Sequence, residues 1–379
     1  MIQKFKKSIV ALILAFTASA VFAQQAASSA PITIGTGATR VAALLPSSNG
    51  PFKWATAAVV AGMKAAHARD AGAITIEVLE TDDQLLETRS GLSDIYSDLE
   101  ARRVALVIGP LTRNSVNALT GIGHLPITTI TLNQPDLEFP LAGNMIVYGL
   151  AIDSEASQVA RASFDDAALR IPTRRPLKAA VIHNTTVQGK RGASSFIQVW
   201  QALGGEVVST VETDSKNLAT DKVLVTSGTS EAASNKPDIV FVAVSADAVK
   251  GFKQTLPAET AVYGTSQLNN FVVGSGVRFN ELNGIRVVDM PWQIQADNIA
   301  VMAYPRASTT LTTLEQQRLY ALGIDTYRIV RELVAQRGKF EIDGVTGRLR
   351  VDLSQSQRIE RTGLVAEFRR GQPVPFEGR

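Results

Sequence analysis

Runs of consecutive apolar residues alternate along this chain with stretches in which apolar residues recur every three or four positions. The clearest run is 104–108, five apolar residues of which three are β-branched, and it is typical of a strand buried on both faces. Gly109-Pro110 ends that run, and Thr112 or Asn114 is placed to cap a helix over 114–119. The stretch therefore predicts a strand, a tight turn and a helix, which together make one βα unit.

The same alternation continues through most of the chain and predicts an α/β fold with parallel sheets. The predicted strands are 40–45, 74–79, 104–108, 127–132, 144–150, 177–182, 206–211, 238–244, 261–264, 285–289, 348–352 and 364–368. Helices are predicted between them, one capped by Asp153 and one with a capping box from Thr312 to Glu315. Two runs of such units, before and after about residue 150, predict two Rossmann-like lobes with a central cleft. Residues 213–236 are weakly patterned and are left unassigned.

The first 23 residues have the pattern of an export signal. Three lysines within residues 4–7 precede an apolar run over 9–16, and Val21-Phe22-Ala23 offers a small residue for cleavage. That apolar run is too short to span a bilayer. We therefore expect a cleavable signal peptide over 1–23 and a flexible leader over 24–39, rich in Ala, Ser, Thr and Gly. The mature protein is then exported and has no membrane span.

The export signal also explains the charge of the chain. The full chain has 38 basic and 35 acidic residues, a formal charge of +3 and a pI near 9.1. Residues 1–23 hold three lysines and no acidic residue, so without them the chain has 35 residues of each sign. A neutral protein gives no electrostatic reason to expect binding to nucleic acid or to an anionic membrane.

Sequence signatures of catalysis and of metal binding are missing. The chain has no cysteine, which excludes thiol catalysis, cysteine-ligated metals and lipid attachment through an N-terminal cysteine. His67, His124 and His183 are scattered and form neither an HExxH nor an HxH pattern. The sequence contains no G-x-S-x-G elbow and no Walker loop. We therefore predict no catalytic residue, no metal and no cofactor, and we disfavour a hydrolase or a transferase.

Small hydroxyl and amide residues follow the predicted strands, at the edge where ligands bind in open α/β sheets. Together with backbone amides at helix N-termini, such side chains suit a carboxylate or another anion. The alternative is that they only cap helices and close turns, since Ser, Thr and Asn are the preferred caps. The candidate cleft residues are Ser47, Ser48, Asn49, Thr112, Asn133, Asn184, Thr185, Thr265, Ser266 and Gln267.

Several short segments, taken in order, resemble one known family. They are Ala42-Ala43-Leu44-Leu45-Pro46, Val107-Ile108-Gly109-Pro110-Leu111, Thr265-Ser266-Gln267-Leu268, Met290-Pro291-Trp292, RLYALGIDTYR over 318–328 and GVTGRL over 344–349. The series resembles the LppC/LpoA family, the penicillin-binding protein activators, over roughly residues 40–370.

The resemblance implies a type I periplasmic binding fold with three crossovers between its lobes, which we place near Leu150, Gln293 and Gly338. Lobe I then comprises 40–150 with 294–337, and lobe II comprises 151–293 with 338–379. The resemblance also implies a non-catalytic periplasmic protein that binds and stimulates a class A penicillin-binding protein and so promotes peptidoglycan cross-linking. The lipobox cysteine and the helical-repeat N-terminal half of longer members are both missing here, so we expect no lipid anchor.

A second function is compatible with the same fold. A periplasmic solute-binding receptor of an ABC transporter would hold an amino acid or a similar small polar ligand in the cleft and close around it. An activator instead needs exposed aromatic or arginine anchors, for which Trp54, Trp292 and Tyr304 are the candidates. The polar loops contain no obvious acid and base pair to hold a zwitterion, which favours the activator.

Overall fold

The computed structural model describes residues 32–136, 140–220, 236–272, 275–306 and 313–376. Its strands are β1 Ile32–Ile34, β2 Thr39–Pro46, β3 Ile74–Thr81, β4 Leu106–Ile108, β5 His124–Thr131, β6 Gly143–Val147, β7 Lys178–His183, β8 Glu206–Glu212, β9 Ile239–Ala243, β10 Ala261–Gly264, β11 Ile285–Asp289, β12 Lys339–Asp343, β13 Arg348–Asp352, β14 Glu360–Thr362, β15 Leu364–Arg369 and β16 Gln372–Pro375. Its α-helices are α1 Lys53–Arg69, α2 Asp83–Leu86, α3 Arg89–Ala101, α4 Arg113–Thr120, α5 Ile152–Arg170, α6 Val187–Ala202, α7 Pro291–Ile294, α8 Ile299–Met302 and α9 Leu314–Val334.

The first sheet has the strand order β1-β3-β2-β4-β5-β6, and β2 to β6 pair in parallel. Every residue of β2 from Val41 to Leu45 is buried. Ala42 and Leu44 pack with residues of α3 and α4 on one face of the sheet. Because successive side chains of a strand point to opposite faces, Val41, Ala43 and Leu45 are buried on the other face. The unbroken apolar run therefore reflects a sheet covered on both sides.

The second sheet has the order β16-β15-β11-β10-β9-β7-β8. Strands β7 to β11 pair in parallel, whereas β15 and β16 are antiparallel additions at one edge. Val240 and Val242 of β9 belong to one buried cluster, and Ile239, Phe241 and Ala243 belong to a second cluster with α5 and α6. The predicted α/β class, with parallel sheets in two lobes, is confirmed.

Strands β12, β13 and β14 form a third, antiparallel sheet that the sequence did not predict. The segment before β14 also contacts the first sheet. The Val147 N–H donates to the Gln357 carbonyl at 2.8 Å, and the Val147 carbonyl accepts from the Ile359 N–H at 2.9 Å. We continue to propose that lobe I comprises 40–150 with 294–337 and that lobe II comprises 151–293 with 338–379. The third sheet is an addition to this two-lobe division.

The predicted flexible leader over 24–39 is wrong at its carboxyl end. Residues 32–34 form β1, Ile34 is buried, and β2 already begins at Thr39. The Ile-Thr-Ile alternation is a strand pattern, which the surrounding Gly, Ala and Thr residues obscured. Residues 24–31 and the predicted signal peptide over 1–23 lie outside the described residues.

Strand β4 is shorter than the predicted 104–108 because the end of α3 takes up the first residues of that run. Arg103 has a left-handed φ of 57°, and the Val104 N–H donates to the Leu99 carbonyl at 3.0 Å. This is a helix C-cap, so the strand begins only at Leu106.

Two predicted helix starts are each displaced by one or two residues. The capping box is not Thr312 with Glu315 but Thr313 with Gln316, whose backbone and side chain bond Thr313 at 3.2 and 3.1 Å. The sequence Thr-Thr-Leu-Glu-Gln fits both registers, so its pattern could not choose between them. Helix α5 has Ala151 as its cap, and Asp153 lies inside the first turn instead of capping it.

Helix α9 packs directly against α1 through two glycines. A Cβ atom added to Gly62 would lie 2.0 Å from the Tyr320 carbonyl oxygen, and one added to Gly323 would lie 2.1 Å from the Val59 carbonyl oxygen. The two backbones are therefore in contact at both positions. This packing fixes α9, whose first three turns line the two cavities described next.

Candidate functional site

The turn after β2 closes on itself. The Ser47 hydroxyl accepts from the Asn49 N–H at 3.2 Å, and the Ser47 carbonyl accepts from the Gly50 N–H at 2.9 Å. The Ser48 N–H donates to the Glu80 carboxylate at 2.9 Å. These three predicted residues line neither cavity described below, so their polar groups close a turn, which is the alternative that the sequence left open.

An apolar pocket of about 310 Å³ lies at the carboxyl edge of the first sheet. We call it the apolar pocket, and its walls include Leu111, Leu132, Leu150, Leu319 and Leu322. Two predicted residues, Thr112 and Asn133, also line it. Thr112 caps α4 and contacts the Ser115 hydroxyl at 2.7 Å, and the Asn133 side chain donates to the Leu111 carbonyl at 3.1 Å. Because these polar atoms already bond to other groups of the protein, they form part of the pocket wall and offer little to a ligand.

Phe52 and Trp54 form the exposed rim of the apolar pocket. Their exposed fractions are 41% and 39%, unusually high for large aromatic side chains. Trp54 therefore remains a candidate anchor for a partner. We call Phe52 and Trp54 together the Phe52–Trp54 surface.

Trp292 and Tyr304, the other two predicted anchors, are buried and cannot present a surface. Trp292 packs against Tyr320 with ring centroids 5.4 Å apart, and the Arg306 guanidinium covers it at 4.6 Å. Tyr304 lies under Arg69 at 5.2 Å. The sequence shows that these residues are aromatic but not that they are buried, because Trp292 lies in α7 and Tyr304 follows α8, and both helices are too short to show a regular periodicity.

A polar pocket of about 400 Å³ lies at the carboxyl edge of the second sheet. We call it the amide pocket, because its walls are Asn184, Thr186, Gln188, Ser245, Ser266, Gln267, Asn269, Asn270, Glu315 and Arg318, with Val244 and Leu314. Three of the predicted residues, Asn184, Ser266 and Gln267, are brought together here. Thr185 instead donates its hydroxyl to Asp214 at 2.7 Å, away from the pocket.

Gln267 of the amide pocket and Thr265, a predicted residue that does not line the pocket, both have side-chain oxygens that bond no protein group in the described part of the chain. Within the described residues, the Thr265 hydroxyl and the side-chain oxygen of Gln267 are buried without a hydrogen-bond partner. Thr265 is fully buried, so its hydroxyl has lost water as well. Such groups are costly unless a water or a ligand satisfies them.

Helix α9 connects the two pockets. Leu319 and Leu322 line the apolar pocket, whereas Leu314, Glu315 and Arg318 line the amide pocket. Residues four apart share one side of a helix, as Glu315 and Leu319 do, so successive turns of the same side of α9 line different cavities.

A buried ion pair ties α9 to the second sheet. The Arg318 guanidinium binds both oxygens of the Asp289 carboxylate at 2.8 Å, a bidentate geometry. Asp289 also accepts from the Asn269 side chain at 2.8 Å and from the Met290 N–H at 2.7 Å. Burial raises the pKa of Asp289, and Arg318 and Asn269 act in the opposite direction. Burial alone would lower the pKa of Arg318, but the charges of Asp289 and Glu155 raise it.

A second buried pair lies beside the first one. Glu155 accepts from Arg361 at 3.0 Å and from the Ser266 N–H at 3.2 Å, and both side chains are about 5% exposed. Asp325 of α9 accepts two backbone N–H groups and the hydroxyl of Thr346. Charged hydrogen bonds therefore join α5 to β14 and α9 to the turn between β12 and β13.

A third cluster joins elements of the two sheets across the cleft, and we call it the cross-lobe cluster. Arg191 of α6 binds Asp153 of α5 through two nitrogens at 3.0 and 2.6 Å. The same guanidinium reaches Asp136, which follows β5 of the first sheet, at 3.2 Å. Arg113 of α4 binds Asp136 at 3.3 Å. Burial raises the pKa of Asp153, which Arg113 partly offsets.

Sequence reasoning missed these charged residues. Arg113, Asp136 and Arg191 lie in polar segments, and nothing in the local pattern distinguishes them from solvated surface charges. Their one common signal is position, because each lies in the loop or the helix that follows a strand ending at the cleft edge. Arg318 was missed because it is one of several charged residues of the predicted helix, and its sequence context does not indicate burial.

In the part of the chain that the structure describes, no group of three or more His, Asp or Glu residues is arranged to hold a metal ion. None of the helices there is both long and apolar enough to cross a membrane.

Comparison with known proteins identifies the family. Residues 32–371 match the family model described as "LppC putative lipoprotein". The penicillin-binding protein activator LpoA of Escherichia coli strain K12 is 24% identical over 324 residues, which cover 75% of this chain and 46% of that protein. The chain thus spans about half the length of the curated relatives it matches.

Solved structures show the same fold. The LpoA C-domain of Haemophilus influenzae, "a regulator of PBP1A", matches with a TM-score of 0.69 at 18% identity, over 89% of this chain and all of that domain. A "putative branched-chain amino acid ABC transporter" from Chromobacterium violaceum matches with a TM-score of 0.68 at 30% identity, over 87% of this chain and 99% of that one. The chain belongs to the LppC family, and its fold is that of LpoA C-domains and ABC-transporter solute-binding proteins.

Proposed function

We propose that this protein is a regulatory, non-catalytic protein of the periplasm that binds a class A penicillin-binding protein and stimulates its synthesis of peptidoglycan. The observation that carries the proposal is the family match over 32–371, together with curated relatives named penicillin-binding protein activators. Those relatives are about twice as long as the matched segment, so the proposal assigns the stimulating contact to the part they share with this chain.

The Phe52–Trp54 surface is the part of the structure that we assign to this contact. Aromatic side chains that remain exposed beside an apolar recess are typical anchors of protein interfaces. Phe52 and Trp54 are neighbours at the start of α1, and leucines form the wall behind them. A partner side chain could insert between them and bury apolar area on both proteins.

The contacts within the cleft favour a protein that regulates by binding a partner protein over a receptor that captures a solute. Arg191 binds a carboxylate on each side of the cleft, and Arg318 ties α9 to β11. A receptor must separate its lobes to admit a ligand, and here that separation would break the contact of Arg191 with Asp136 or with Asp153. The contacts that hold the two lobes together are therefore made by side chains of the protein itself.

A binding measurement with surface variants tests the proposal. The exported chain, purified from the periplasm, is titrated against a class A penicillin-binding protein from the same organism by surface plasmon resonance. The double variant Phe52→Ala, Trp54→Ala should weaken binding at least about tenfold, because hot-spot aromatics each contribute about 1 kcal/mol or more. Leu169→Ala is the control, since Leu169 is 65% exposed and lies at the end of α5. Absence of binding, or equal affinities for all three proteins, would contradict the proposal.

A second candidate function is a solute-binding receptor, and one observation favours it. Gln267 lines the amide pocket, and its buried side-chain oxygen has no hydrogen-bond partner among the described residues, so it could accept from a polar ligand. The 30% identical Chromobacterium violaceum protein is also described as part of an amino acid transporter. A thermal-shift screen with amino acids separates the two functions. Stabilisation by one amino acid, lost in Gln267→Ala, would establish the receptor.

A further inference from the structure

A cavity of about 610 Å³ lies at the amino edge of the second sheet, which is the edge away from the amide pocket. Asp238 precedes β9, Ala261 begins β10 and Gly284 precedes β11, and all three line the cavity. We call it the basic cavity. Neither candidate function described above uses it.

The walls of the basic cavity carry an excess of positive charge. They contain five cationic side chains and three acidic ones: Arg170, Arg174, Lys236, Lys253 and Arg286, with Asp238, Glu259 and Glu367. The excess of two positive charges stands out because the chain without its first 23 residues is neutral. A concave site walled by one sign of charge concentrates ions of the other sign.

The acidic residues of the basic cavity are already engaged. Asp238 binds Arg174 at 2.6 Å and accepts from the Lys178 N–H at 2.8 Å. Glu259 binds Lys236 at 2.5 Å. Glu367 binds both Arg286 and Arg369. These carboxylates fix the orientation of the arginines and repel an incoming anion less than free carboxylates would.

Three arginines of the basic cavity have an Nη2 that bonds no group of the described residues. Arg170 employs Nε and Nη1 on Asp166 and on the Glu259 carbonyl, and Arg174 employs Nη1 on Asp238. Arg286 employs Nε and Nη1 on Glu367, Asp166 and Tyr263. Across the described residues, Nη2 of each of these arginines makes no hydrogen bond. Protein contacts thus fix one edge of each guanidinium group, and Nη2 on the other edge is free to donate to a ligand.

Lys253 provides a charge without an acidic partner. Its Nζ donates to the carbonyls of Pro257 and Ala258 at 3.3 and 3.2 Å, and no carboxylate of the described chain lies within 4.0 Å of it. Burial lowers the pKa of Lys253, and the positive charges of Arg286 and Arg170 lower it further against the effect of Glu259. A bound anion would relieve that repulsion.

We propose that the basic cavity is a binding site for a small oxyanion with two or more carboxylate or phosphate groups. Lys253 supplies the charge that has no acidic partner, and the free Nη2 groups of Arg170, Arg174 and Arg286 donate to the ligand oxygens. Multivalence follows from the separation of the donors over three elements, since a single carboxylate would reach only one or two of them. The proposal is independent of the binding partner proposed above, because it uses a different edge of the protein.

Isothermal titration calorimetry of the exported full-length protein at low salt tests this site. Citrate and pyrophosphate are the probes for the two ligand chemistries, and acetate is the monovalent comparison. We expect binding of citrate, pyrophosphate or both well below about 1 mM, with acetate at least about tenfold weaker. Stronger binding of pyrophosphate assigns the site to phosphates, and stronger binding of citrate assigns it to carboxylates.

Variants distinguish a built site from general attraction. Lys253→Met and Arg174→Gln should each weaken binding at least about tenfold. Lys253→Arg, which keeps the positive charge, should retain most of the wild-type affinity. Lys190→Met is the matched control, because Lys190 is half-exposed on α6 and pairs with Glu212 outside the cavity. Thermal midpoints of all variants show that they fold. No binding at about 1 mM, or an equal loss in Lys190→Met and Lys253→Met, would overturn the proposal.

Discussion

At the scale of single residues, buried charges hold this protein together where the sequence suggested only polar loops. Asp289 is fully buried, yet it has four hydrogen bonds from Arg318, Asn269 and a backbone amide. A buried carboxylate with complete partners is tolerated, whereas the same carboxylate without its arginine is very costly. Arg318 is therefore the residue on which the amide pocket depends.

Replacing Arg318 by Leu should destabilise the protein by about 3–5 kcal/mol, because Asp289 is left buried without a counter-charge. The free energy of unfolding is measured by urea titration. Adding Asp289→Leu to Arg318→Leu should recover a large part of the loss, since the uncompensated charge is then gone. Arg348→Leu is the control, because Arg348 pairs with Glu341 in full contact with solvent, and it should not shift the unfolding midpoint. An Arg318→Leu midpoint equal to that of the control would contradict this account.

Asp166 should make the stability depend on pH. Burial acts to raise the pKa of Asp166, but hydrogen bonds from Arg170 and Tyr263 and the charge of Arg286 outweigh it and lower the pKa below 3.8. The stability that Asp166 contributes is thus complete above pH 3.8 and lost as the pH falls through the lower folded-state value. Asp166→Asn should cost about 1–3 kcal/mol at pH 7 and progressively less below pH 3.8. A cost that stays constant between pH 7 and the acid range would show that Asp166 acts through packing alone.

The sequence predicted which kinds of residue lie at the cleft better than it predicted what each of those residues does there. Thr112, Asn133, Asn184, Ser266 and Gln267 do line cavities, because position after a strand is encoded locally. Ser47, Ser48 and Asn49 have the same composition but close a turn. The difference depends on which neighbouring element approaches the loop, and that is decided by packing of distant segments such as α9.

At the scale of elements, the parallel strands of the two main sheets and the antiparallel strands β13 and β15 were predictable, whereas β12, β14 and β16 were not. Strands such as β9 are buried on both faces and therefore read as unbroken apolar runs. Strand β12 has the sequence Lys-Phe-Glu-Ile-Asp, with one buried residue, and β14 has three residues. Short, charged, half-exposed strands carry too few apolar residues to be distinguished from loops. Their pairing is fixed only once the third sheet forms.

The contact between α1 and α9 gives an element-scale prediction. Gly62→Ala should destabilise the protein by about 3 kcal/mol or more, because the new methyl group would lie 2.0 Å from the Tyr320 carbonyl and the helices must separate. Gly323→Ala should act similarly through the Val59 carbonyl. Gly338→Ala is the control, since a Cβ at that position meets no atom within 4 Å and Gly338 has no positive φ. Thermal unfolding of the three variants provides the comparison, and a wild-type midpoint for Gly62→Ala would show that the helices are not in backbone contact.

At the scale of the whole molecule, the two sheets are joined by charges as well as by the chain. The cross-lobe cluster places Arg191 between carboxylates that belong to different sheets. An ion pair that is partly buried resists separation more than an exposed one does, and it is less sensitive to salt. Side chains of this chain thus hold the edges of the cleft together.

Asp136→Asn should loosen this arrangement. The substitution removes the charge that attracts Arg113 and Arg191 but keeps the shape of the side chain. We expect amide hydrogen exchange in the first turn of α5 and in α4 to rise about tenfold, because local opening costs less when the cluster is lost. Asp247→Asn, which removes an exposed partner of Lys250, should leave exchange unchanged. Equal exchange in wild type and Asp136→Asn would mean that the cluster does not hold the lobes.

The most direct test of the central claim is the effect of the purified exported chain on peptidoglycan cross-linking by a class A penicillin-binding protein of the same organism. The proposal predicts that cross-linking increases severalfold when the chain is added, that the increase is lost in Phe52→Ala, Trp54→Ala, and that Gln267→Ala retains it. Unchanged cross-linking at concentrations well above the affinity of an ordinary interface, about 10 μM, would contradict the claim that this protein acts by contact with the enzyme.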